Sequence, residues 1–406
     1  MRVLIVNKFF YPRGGDCVVA MGTRELLIEA GHTVQVFAMH HPLNISLPES
    51  GSFASQIDFS GSLSQKVKAF GRLVGLGDIA VAFRKVLLDF KPDVIHVHNI
   101  HSYLSPVICR IAHDSGIPVV WTLHDFKLVC PAYTFRKGNG EICDYAATGK
   151  CSPVRNRCLK NSLTASAMAA VEKLRWSMPR LNRMTDAYIA PSHFMSEMMM
   201  LGGADKDKMN VIYNFVDPAK LRILARSDSR SGGGGDDNRY FAYTGRLSFE
   251  KGVATLIQAA IQSGVNLRIA GDGPMRAQLE AMAAGHKGIT FLGRLDAEAV
   301  AALQRDADAC VCPSEWFENN PLAVIESLCA GTPVIGADIG GIPELITPGV
   351  NGFLYKSGDT NALARILNDF SPSSFDKCSI ARDATEKFAT RTHLDRLLNI
   401  YQSCIR

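Results

Sequence analysis

One run of the chain, from Ala309 to Ile335, places a strand, a loop, a short helix and the next strand directly after one another. The run begins as a buried apolar strand. Asn319 or Asn320 is a suitable N-cap, with Pro321 at the first helical position, so a helix is predicted over about residues 321–330. A strand, a loop and a helix in this order predict an α/β chain built from Rossmann-like units.

Two carboxylates lie on this unit, Glu318 in the loop before the helix and Glu326 on its second turn. The backbone N–H groups of Leu322 and Ala323 at the helix start form an anion site, so a phosphate can lie between the two carboxylates. A nucleoside-diphosphate sugar has this layout, with hydroxyls on both sides of its phosphates. The spacing alone leaves an alternative open, in which Glu326 is a solvated helix residue and Glu318 an ordinary loop carboxylate.

The pair Glu318-x7-Glu326, embedded in Pro-Ser-x3-Glu and Glu-Ser-x-Cys-Ala-Gly-Thr-Pro-Val-Ile, resembles the signature of the retaining glycosyltransferases of family GT4, of the bacterial polysaccharide type. The resemblance extends over essentially the whole chain. It implies that Glu318 contacts the donor sugar, that Glu326 contacts the ribose, and that Asn319, Asn320, Leu322 and Ala323 complete this part of the donor site. Many members have Gly-Phe-Gly where this chain has Asn-Asn-Pro, so the identity of the sugar does not follow.

The family resemblance implies the GT-B fold, an α/β architecture of two Rossmann-like domains facing a cleft, with a C-terminal helix crossing back to the first domain. The expected acceptor domain covers residues 1–190, with a cysteine-bearing insertion at about 127–160. The expected nucleotide-sugar domain covers residues 191–385. Residues 386–406 are expected to form the returning helix.

Glycine-bearing turns after strands mark the remaining donor contacts. Gly14 and Gly15 follow the first strand and allow a ligand to approach the backbone closely, although any tight turn could use them. The segment Gly245-Arg246 with Lys251 resembles the family's phosphate-binding loop, and Gly293-Arg294 resembles its loop facing the base. Fixed cations at a strand end stabilise the negative charge that grows on a leaving diphosphate.

Histidines end two predicted strands. In open α/β sheets ligands bind beyond the carboxyl ends of the strands, so His98 and His124 are expected to point toward the cleft. The resemblance assigns the position of His124 to the donor sugar at the reacting centre. His98, His101 and Asp125 are candidate acceptor contacts. A metal site formed by the histidines is disfavoured, because no carboxylate or cysteine lies at ligand spacing.

The composition predicts a cytoplasmic protein. No apolar run is long enough to span a membrane, and the 11 cysteines lie mostly among apolar neighbours, as expected for reduced thiols. Four cysteines in the insertion could bind zinc, but they lack the short Cys-x2–4-Cys pairs of structural zinc sites, so reduced thiols are the favoured interpretation. They are Cys130, Cys143, Cys151 and Cys158.

The charge is asymmetric along the chain. Residues 1–190 carry 22 Lys and Arg against 14 Asp and Glu, whereas residues 191–406 carry 22 against 25. Apolar residues interleave with the basic ones at near-helical spacing. This pattern suits an anionic membrane surface, on the inner face of the plasma membrane, better than nucleic acid, which is not an expected partner. A solvated helix face is the alternative. The first basic cluster comprises Lys66, Lys68, Arg72, Arg84, Lys85 and Lys91.

The sequence thus predicts a retaining, metal-independent hexosyltransferase without a cofactor, whose catalytic side chains are His124, Arg246, Lys251 and Glu318. Its donor is expected to be a nucleoside-diphosphate sugar of the UDP or GDP type, and its acceptor a saccharide, free or lipid-linked, in the synthesis of cell-surface polysaccharide or glycolipid. Two alternatives stay open: a nucleotide-sugar epimerase or phosphorylase of the same fold, and a non-catalytic protein that binds nucleotide sugars or glycans.

Overall fold

The computed structural model describes residues 1–59, 61–143, 152–224 and 239–405, and these divide into two compact units. The first unit comprises Met1–Tyr213 with His393–Arg406, and the second comprises Asn214–Thr392. Cys151 and the glycine-rich stretch 231–238 lie outside the described residues.

The first unit contains a six-stranded parallel sheet in the order β2-β1-β3-β4-β5-β6. Most residues of its central strands are apolar and buried, as expected for a sheet covered on both faces; Val3 to Val6 are fully buried. The strands are β1 (Arg2–Val6), β2 (Thr33–Phe37), β3 (Val94–Val97), β4 (Val119–Thr122), β5 (Ala187–Ala190) and β6 (Met209–Val211).

The helices of the first unit connect these strands and cover the sheet. They are α1 (Gly15–Glu29), α2 (Leu63–Leu73), α3 (Ile79–Phe90), α4 (Val107–Asp114), α5 (Leu163–Arg175), α6 (Met178–Met184) and α7 (His193–Leu201). The unit ends after Tyr213 and not after residue 190, because β6 pairs in parallel with β5 and so belongs to the first sheet.

The second unit contains another six-stranded parallel sheet, in the order β12-β11-β10-β7-β8-β9. Its strands are β7 (Phe241–Thr244), β8 (Leu267–Ala270), β9 (Ile289–Gly293), β10 (Ala309–Cys312), β11 (Val334–Asp338) and β12 (Gly352–Lys356). Its helices are α8 (Pro218–Leu224), α9 (Val253–Ser263), α10 (Arg276–Met282), α11 (Ala297–Arg305), α12 (Leu322–Cys329), α13 (Thr360–Asp369) and α14 (Lys377–Lys387).

The last helix, α15 (Thr390–Cys404), returns the chain to the first unit from His393 onward. Leu397 and Tyr401 are buried in the core that also contains Val3, Ile5 and Val94. Each unit thus contains a Rossmann-like sheet of parallel strands, and the terminal helix rejoins the first unit. These features confirm the fold expected from the sequence.

Candidate active site

The carboxyl edge of the second sheet brings two distant loops together. Strands β7 and β10 are neighbours, and the connections leaving them run to opposite sides along the sheet, toward β8 and toward β11. Such a switch in strand order opens a crevice at the carboxyl edge, where open α/β sheets bind ligands. The loop after β7 carries Arg246 and Lys251, and the loop after β10 carries Glu318.

Lys251 and Glu318 form an ion pair at this switch point. The Lys251 Nζ lies 2.5 Å from Glu318 Oε1. Gly252 has a φ of +66°, and a Cβ placed on it would lie 1.9 Å from the carbonyl oxygen of Pro313. The glycine is therefore required for the close approach of the two loops, which delivers the lysine to the glutamate.

Two further donors converge on the same carboxylate oxygen. Ser314 Oγ and Trp316 Nε1 each donate a hydrogen bond of 2.8 Å to Glu318 Oε1. Glu318 is only 8% exposed, and burial by itself would raise its pKa. The Lys251 ammonium and the three hydrogen bonds outweigh burial and hold the pKa of Glu318 below its usual value. Both partners are therefore charged at neutral pH.

A glycine turn after β11 supports the backbone of Glu318. The Gly341 N–H donates a hydrogen bond of 2.7 Å to the Glu318 carbonyl oxygen. Gly340 has a φ of +62°, and a Cβ there would lie 2.4 Å from the same oxygen. Gly340 and Gly341 directly follow this strand, but the sequence alone does not indicate that they contact Glu318.

The start of α12 differs from the prediction in its cap. Pro321 is the N-cap and has extended torsions, and Leu322 is the first helical residue. The Asn320 side chain does not cap the helix, because its Oδ1 accepts a hydrogen bond of 2.8 Å from the Asn214 N–H. The first bonds of the helix are donated by Val324 and Ile325 to the Pro321 carbonyl. The N–H groups of Leu322 and Ala323 therefore precede the ladder, as an anion site requires.

The remaining predicted donor contacts of this unit occupy different surroundings. Glu326 Oε1 lies 2.5 Å from the Lys220 Nζ, a partner that the sequence did not suggest. Arg246 is exposed on the loop after β7. Gly293 ends β9, and the Arg294 side chain is 85% exposed, 4.0 Å from Asp272. The structure thus brings Lys251 and Glu318 into contact and leaves both arginines at the surface.

Two further glycines, in the turn after β8, pack closely against the backbone of the Gly245-Arg246 loop. A Cβ on Gly271 would lie 1.8 Å from the Gly245 carbonyl oxygen, and one on Gly273 would lie 2.2 Å from that of Leu247. The turn after β8 therefore packs against the backbone of the predicted phosphate-binding loop.

The first sheet also has a switch point, between β1 and β3. Gly14 is the N-cap of α1 and Gly15 its first residue, with open space where a Cβ would stand. Asp16 in the first turn lies 3.5 Å from Lys8 and accepts a hydrogen bond of 3.2 Å from Asn99 Nδ2. Asp16 and Asn99 were not among the predicted site residues, although each directly follows one.

His124 lies at this edge with a second histidine beneath it. Its Nε2 is 2.9 Å from Nδ1 of His98, which is 1% exposed. Asn99 Nδ2 also donates to Asp125, at 3.2 Å. Burial lowers the pKa of His124 and of His98, so both imidazoles are neutral at pH 7. His124 and Asp125 are half-buried, whereas the candidate acceptor contact His98 is enclosed.

His101 is half-buried and stacks on Trp121, with 5.4 Å between ring centroids. Burial lowers its pKa to about 3. Within the described ranges, no group of three or more His, Cys, Asp or Glu side chains is arranged to hold a metal ion. Cys130, Cys143 and Cys158 are free thiols, and burial raises the pKa of Cys130 and Cys158.

Comparison with known proteins identifies the family. A family model described as Glycosyltransferase Family 4 matches residues 14–220, just over half of the chain. The chain belongs to glycosyltransferase family 4. A second model, Glycosyl transferases group 1, matches residues 226–388, so a glycosyltransferase model also covers most of the second unit.

One relative of this glycosyltransferase matches nearly its full length, and another matches about half of it. A glycosyltransferase of Methanocaldococcus jannaschii, MJ1607, is 23% identical over 99% of this chain and 98% of that protein. The amylovoran biosynthesis glycosyltransferase AmsK of Erwinia amylovora is 27% identical over 54% of this chain and 56% of its own length. The structure of Anabaena HepE with UDP and glucose matches with a TM-score of 0.67 at 20% identity, covering 99% and 100% of the two chains. The family and the GT-B fold expected from the sequence are confirmed.

Proposed function

We propose that this glycosyltransferase moves a hexose from a nucleoside-diphosphate sugar to a hydroxyl of a saccharide acceptor. The observation that carries the proposal is the Lys251–Glu318 ion pair at the switch point of the second sheet. The Lys251 ammonium and the Glu318 carboxylate are on loops next to the start of α12, where the N–H groups of Leu322 and Ala323 precede the helical hydrogen bonds. Glu318 would accept hydrogen bonds from the sugar hydroxyls, and Lys251 with Arg246 would neutralise the diphosphate. The UDP and glucose bound by HepE support a donor of this class.

The proposed reaction retains the anomeric configuration, as in the GT4 enzymes that the sequence resembles. The bond from the sugar C1 to the phosphate oxygen breaks, and a bond from the acceptor oxygen to C1 forms on the same face. The acceptor proton passes to the leaving diphosphate oxygen. His124, neutral at pH 7, would accept or donate a hydrogen bond at the sugar without changing the charge of the site.

Metal independence is part of the proposal, since the two cations of the β7 loop can stabilise the leaving group. The Asp306-Ala-Asp308 segment lies between α11 and β10. It therefore lies at the amino edge of the sheet, opposite the carboxyl edge that carries Glu318. Asp308 is paired there with Arg239 at 2.8 Å.

A thermal-shift panel with UDP, GDP, ADP and their common sugars tests the proposal, on wild type, Lys251→Ala and Lys287→Ala. Lys287 is an exposed lysine before β9, at the amino edge of the same sheet. One nucleotide at ~100 times its Kd should add about 2.7 kcal/mol of stability. Lys251→Ala removes the charge-assisted contact to the diphosphate and should weaken nucleotide binding roughly 10- to 100-fold, whereas Lys287→Ala should not change it. No shift with any nucleotide would overturn the proposal.

Turnover separates the transferase from its alternatives. Transfer should release the nucleoside diphosphate in the presence of EDTA, and NMR of the product should show the donor's anomeric configuration. An epimerised donor without nucleotide release would indicate an epimerase, whereas tight nucleotide binding without turnover on any acceptor would favour a non-catalytic protein.

We also propose that the acceptor is lipid-linked and that the first unit binds an anionic membrane surface. One face of α3 combines exposed apolar and basic side chains, at i, i+3, i+4 and i+7 spacing: Val81, Arg84, Lys85 and Leu88. Arg72 of the predicted basic cluster does not contribute, because it is buried and lies 2.5 Å from Asp78. No helix in the described ranges is long and apolar enough to cross a membrane.

Sedimentation with phosphatidylglycerol vesicles tests this surface. Val81 and Leu88 are 74% and 73% exposed. Leu88→Ser should reduce binding to these vesicles several-fold, whereas Val350→Ser, a change of a 60% exposed residue in the second unit, should not. Equal binding of wild type to neutral phosphatidylcholine vesicles, or none to either, would contradict the proposal.

A further inference from the structure

A group of aromatic rings lies at the carboxyl edge of the first sheet. Phe9 and Tyr11 follow β1, His41 follows β2, and Tyr103 follows β3, so adjacent strands deliver all four. Phe59, from the segment before α2, joins them. We call these five residues the aromatic platform.

The rings of the aromatic platform contact one another in sequence. The ring centroid of Phe9 lies 5.1 Å from that of His41 and 5.3 Å from that of Tyr103. Tyr11 and His41 are stacked, with 5.0 Å between centroids and 8° between planes. Phe59 meets Tyr103 edge-on at 5.6 Å. The five rings therefore form one connected cluster and not a set of isolated rings.

The exposure of these rings differs from that of a core cluster. Phe9 is buried at the centre, but the other four rings are half-buried and present part of their area at the surface. The exposed Arg13 guanidinium lies 4.6 Å above the Phe9 ring. Half-buried aromatic rings next to a charged side chain suit an amphipathic ligand better than a lipid chain.

Direct contacts connect the aromatic platform to the polar residues beside His124. The Phe9 carbonyl accepts a hydrogen bond of 2.9 Å from Asn7 Nδ2, and Asn7 Oδ1 accepts one of 3.0 Å from the Asn99 N–H. Asn99 Nδ2 in turn donates to Asp16 and Asp125. A ligand on the platform would therefore lie beside the carboxylates and the histidine of this edge.

We propose that the aromatic platform binds a pyranose ring of the acceptor saccharide. A pyranose has an apolar C–H face that packs on aromatic rings, and equatorial hydroxyls that need polar partners such as Arg13 and Asp125. The rings of the aromatic platform would pack against the C–H face, and the polar side chains at its edge would bond the hydroxyls. This inference rests on the proposed transferase function and specifies its acceptor site. Of the candidate acceptor contacts, His98 is buried and does not line this surface.

Saturation-transfer NMR tests the aromatic platform directly. The probes are the methyl glycosides of glucose, galactose, mannose and N-acetylglucosamine, both anomers, at millimolar concentration, with UDP measured in parallel. At least one glycoside should receive saturation on its ring protons from wild type. Its Kd should rise roughly 3- to 10-fold in Tyr11→Ala and in Tyr103→Ala. Tyr11→Phe should keep wild-type affinity.

The control is His113→Ala, which removes an exposed ring at the end of α4, toward the amino edge of the same sheet. It should leave the glycoside signal and UDP binding unchanged. UDP binding that survives in Tyr11→Ala while the glycoside signal falls supports the inference. Failure of wild type to bind UDP would be a failure of the proposed function instead. The inference is wrong if UDP binds but no glycoside does, if the glycoside signal persists in both alanine variants, or if UDP binding itself depends on Tyr11.

Discussion

The ion pair between Lys251 and Glu318 predicts a large and specific coupling free energy. Glu318 is 8% exposed, and its Oε1 accepts hydrogen bonds from Lys251, Ser314 and Trp316. Replacing Lys251 with Met leaves a buried carboxylate without its counter-charge. Removing one partner of a buried pair costs about 3–5 kcal/mol. Because the Lys251 side chain is 26% exposed, water screens part of this interaction, and we expect about 2–3 kcal/mol.

The coupling is measured with a double-mutant cycle of Lys251→Met and Glu318→Gln. Glutamine keeps an oxygen for Ser314 and Trp316 but removes the charge, so the double variant contains no unpaired ion. Its cost should be about 2 kcal/mol smaller than the sum of the two single costs. Hydrogen exchange of the slowest amides in β10 reports the free energy of opening of the second unit alone.

The pH dependence of the same cycle provides a second check. The folded pKa of Glu318 is lowered, so its contribution is complete above the unfolded value of 4.5 and is lost as the pH falls through the folded pKa. The Lys251→Met penalty should therefore be constant from about pH 6 to 8 and shrink at lower pH, where the stranded carboxylate takes a proton.

An exposed pair in the same unit is the matched control. Arg276 and Glu280 lie 2.8 Å apart at i,i+4 spacing, with side chains 38% and 43% exposed. Their cycle should show no measurable coupling, because solvent screens the pair. Additivity of Lys251→Met and Glu318→Gln within about 0.5 kcal/mol would refute the assignment of a buried, charge-assisted pair at the switch point.

Two further predictions concern pH and backbone space. Burial lowers the pKa of His96 to about 3 and of His393 to about 4, so below the ordinary value of 6.5 only the unfolded chain binds these protons. The free energy of unfolding of the first unit should therefore fall by about 2 kcal/mol per imidazole between about pH 8 and pH 5. Urea titrations that follow the tryptophans of the first unit, in a Trp316→Phe background, measure this change. A midpoint that stays constant over this pH range would contradict the prediction. Gly340→Ala should cost at least about 3 kcal/mol and weaken nucleotide binding, since its Cβ would lie 2.4 Å from the Glu318 carbonyl. Gly349→Ala, at a φ of +77° with open space around it, should cost only about 1 kcal/mol in thermal unfolding.

Local patterns in the sequence were sufficient for individual elements, and the family resemblance supplied the fold. The sequence predicted strands before Gly14, His98 and His124, which the structure contains as β1, β3 and β4, and the turn chemistry after β10 predicted α12 to within a residue or two. The signature around Glu318 and Glu326 then placed the chain in its family. These features depend on residues that are close together in the sequence, so the sequence alone was enough to predict them.

Contacts between loops and helices that are distant in the sequence could not be predicted in this way. Asn320 looked like a helix cap, but its side chain bonds the backbone of Asn214, 106 positions earlier. Lys220 gave no sign that it would pair with Glu326. The aromatic platform combines rings from three loops that become neighbours only because β2, β1 and β3 are adjacent in the sheet. Each of these contacts is set by strand order and loop packing.

The returning helix α15 has a physical reason to belong to the first unit. His96 lies within β3, where the environment otherwise contains apolar side chains, and a buried imidazole with unpaired nitrogens would cost about 1–3 kcal/mol for each. Tyr401 lies 2.6 Å from its Nδ1, and Thr122 lies 2.7 Å from its Nε2, so both nitrogens are satisfied. The His96 ring packs 4.2 Å from the ring of His98, which bonds His124. A hydroxyl 305 positions along the chain thus completes the polar support on which the position of His124 depends.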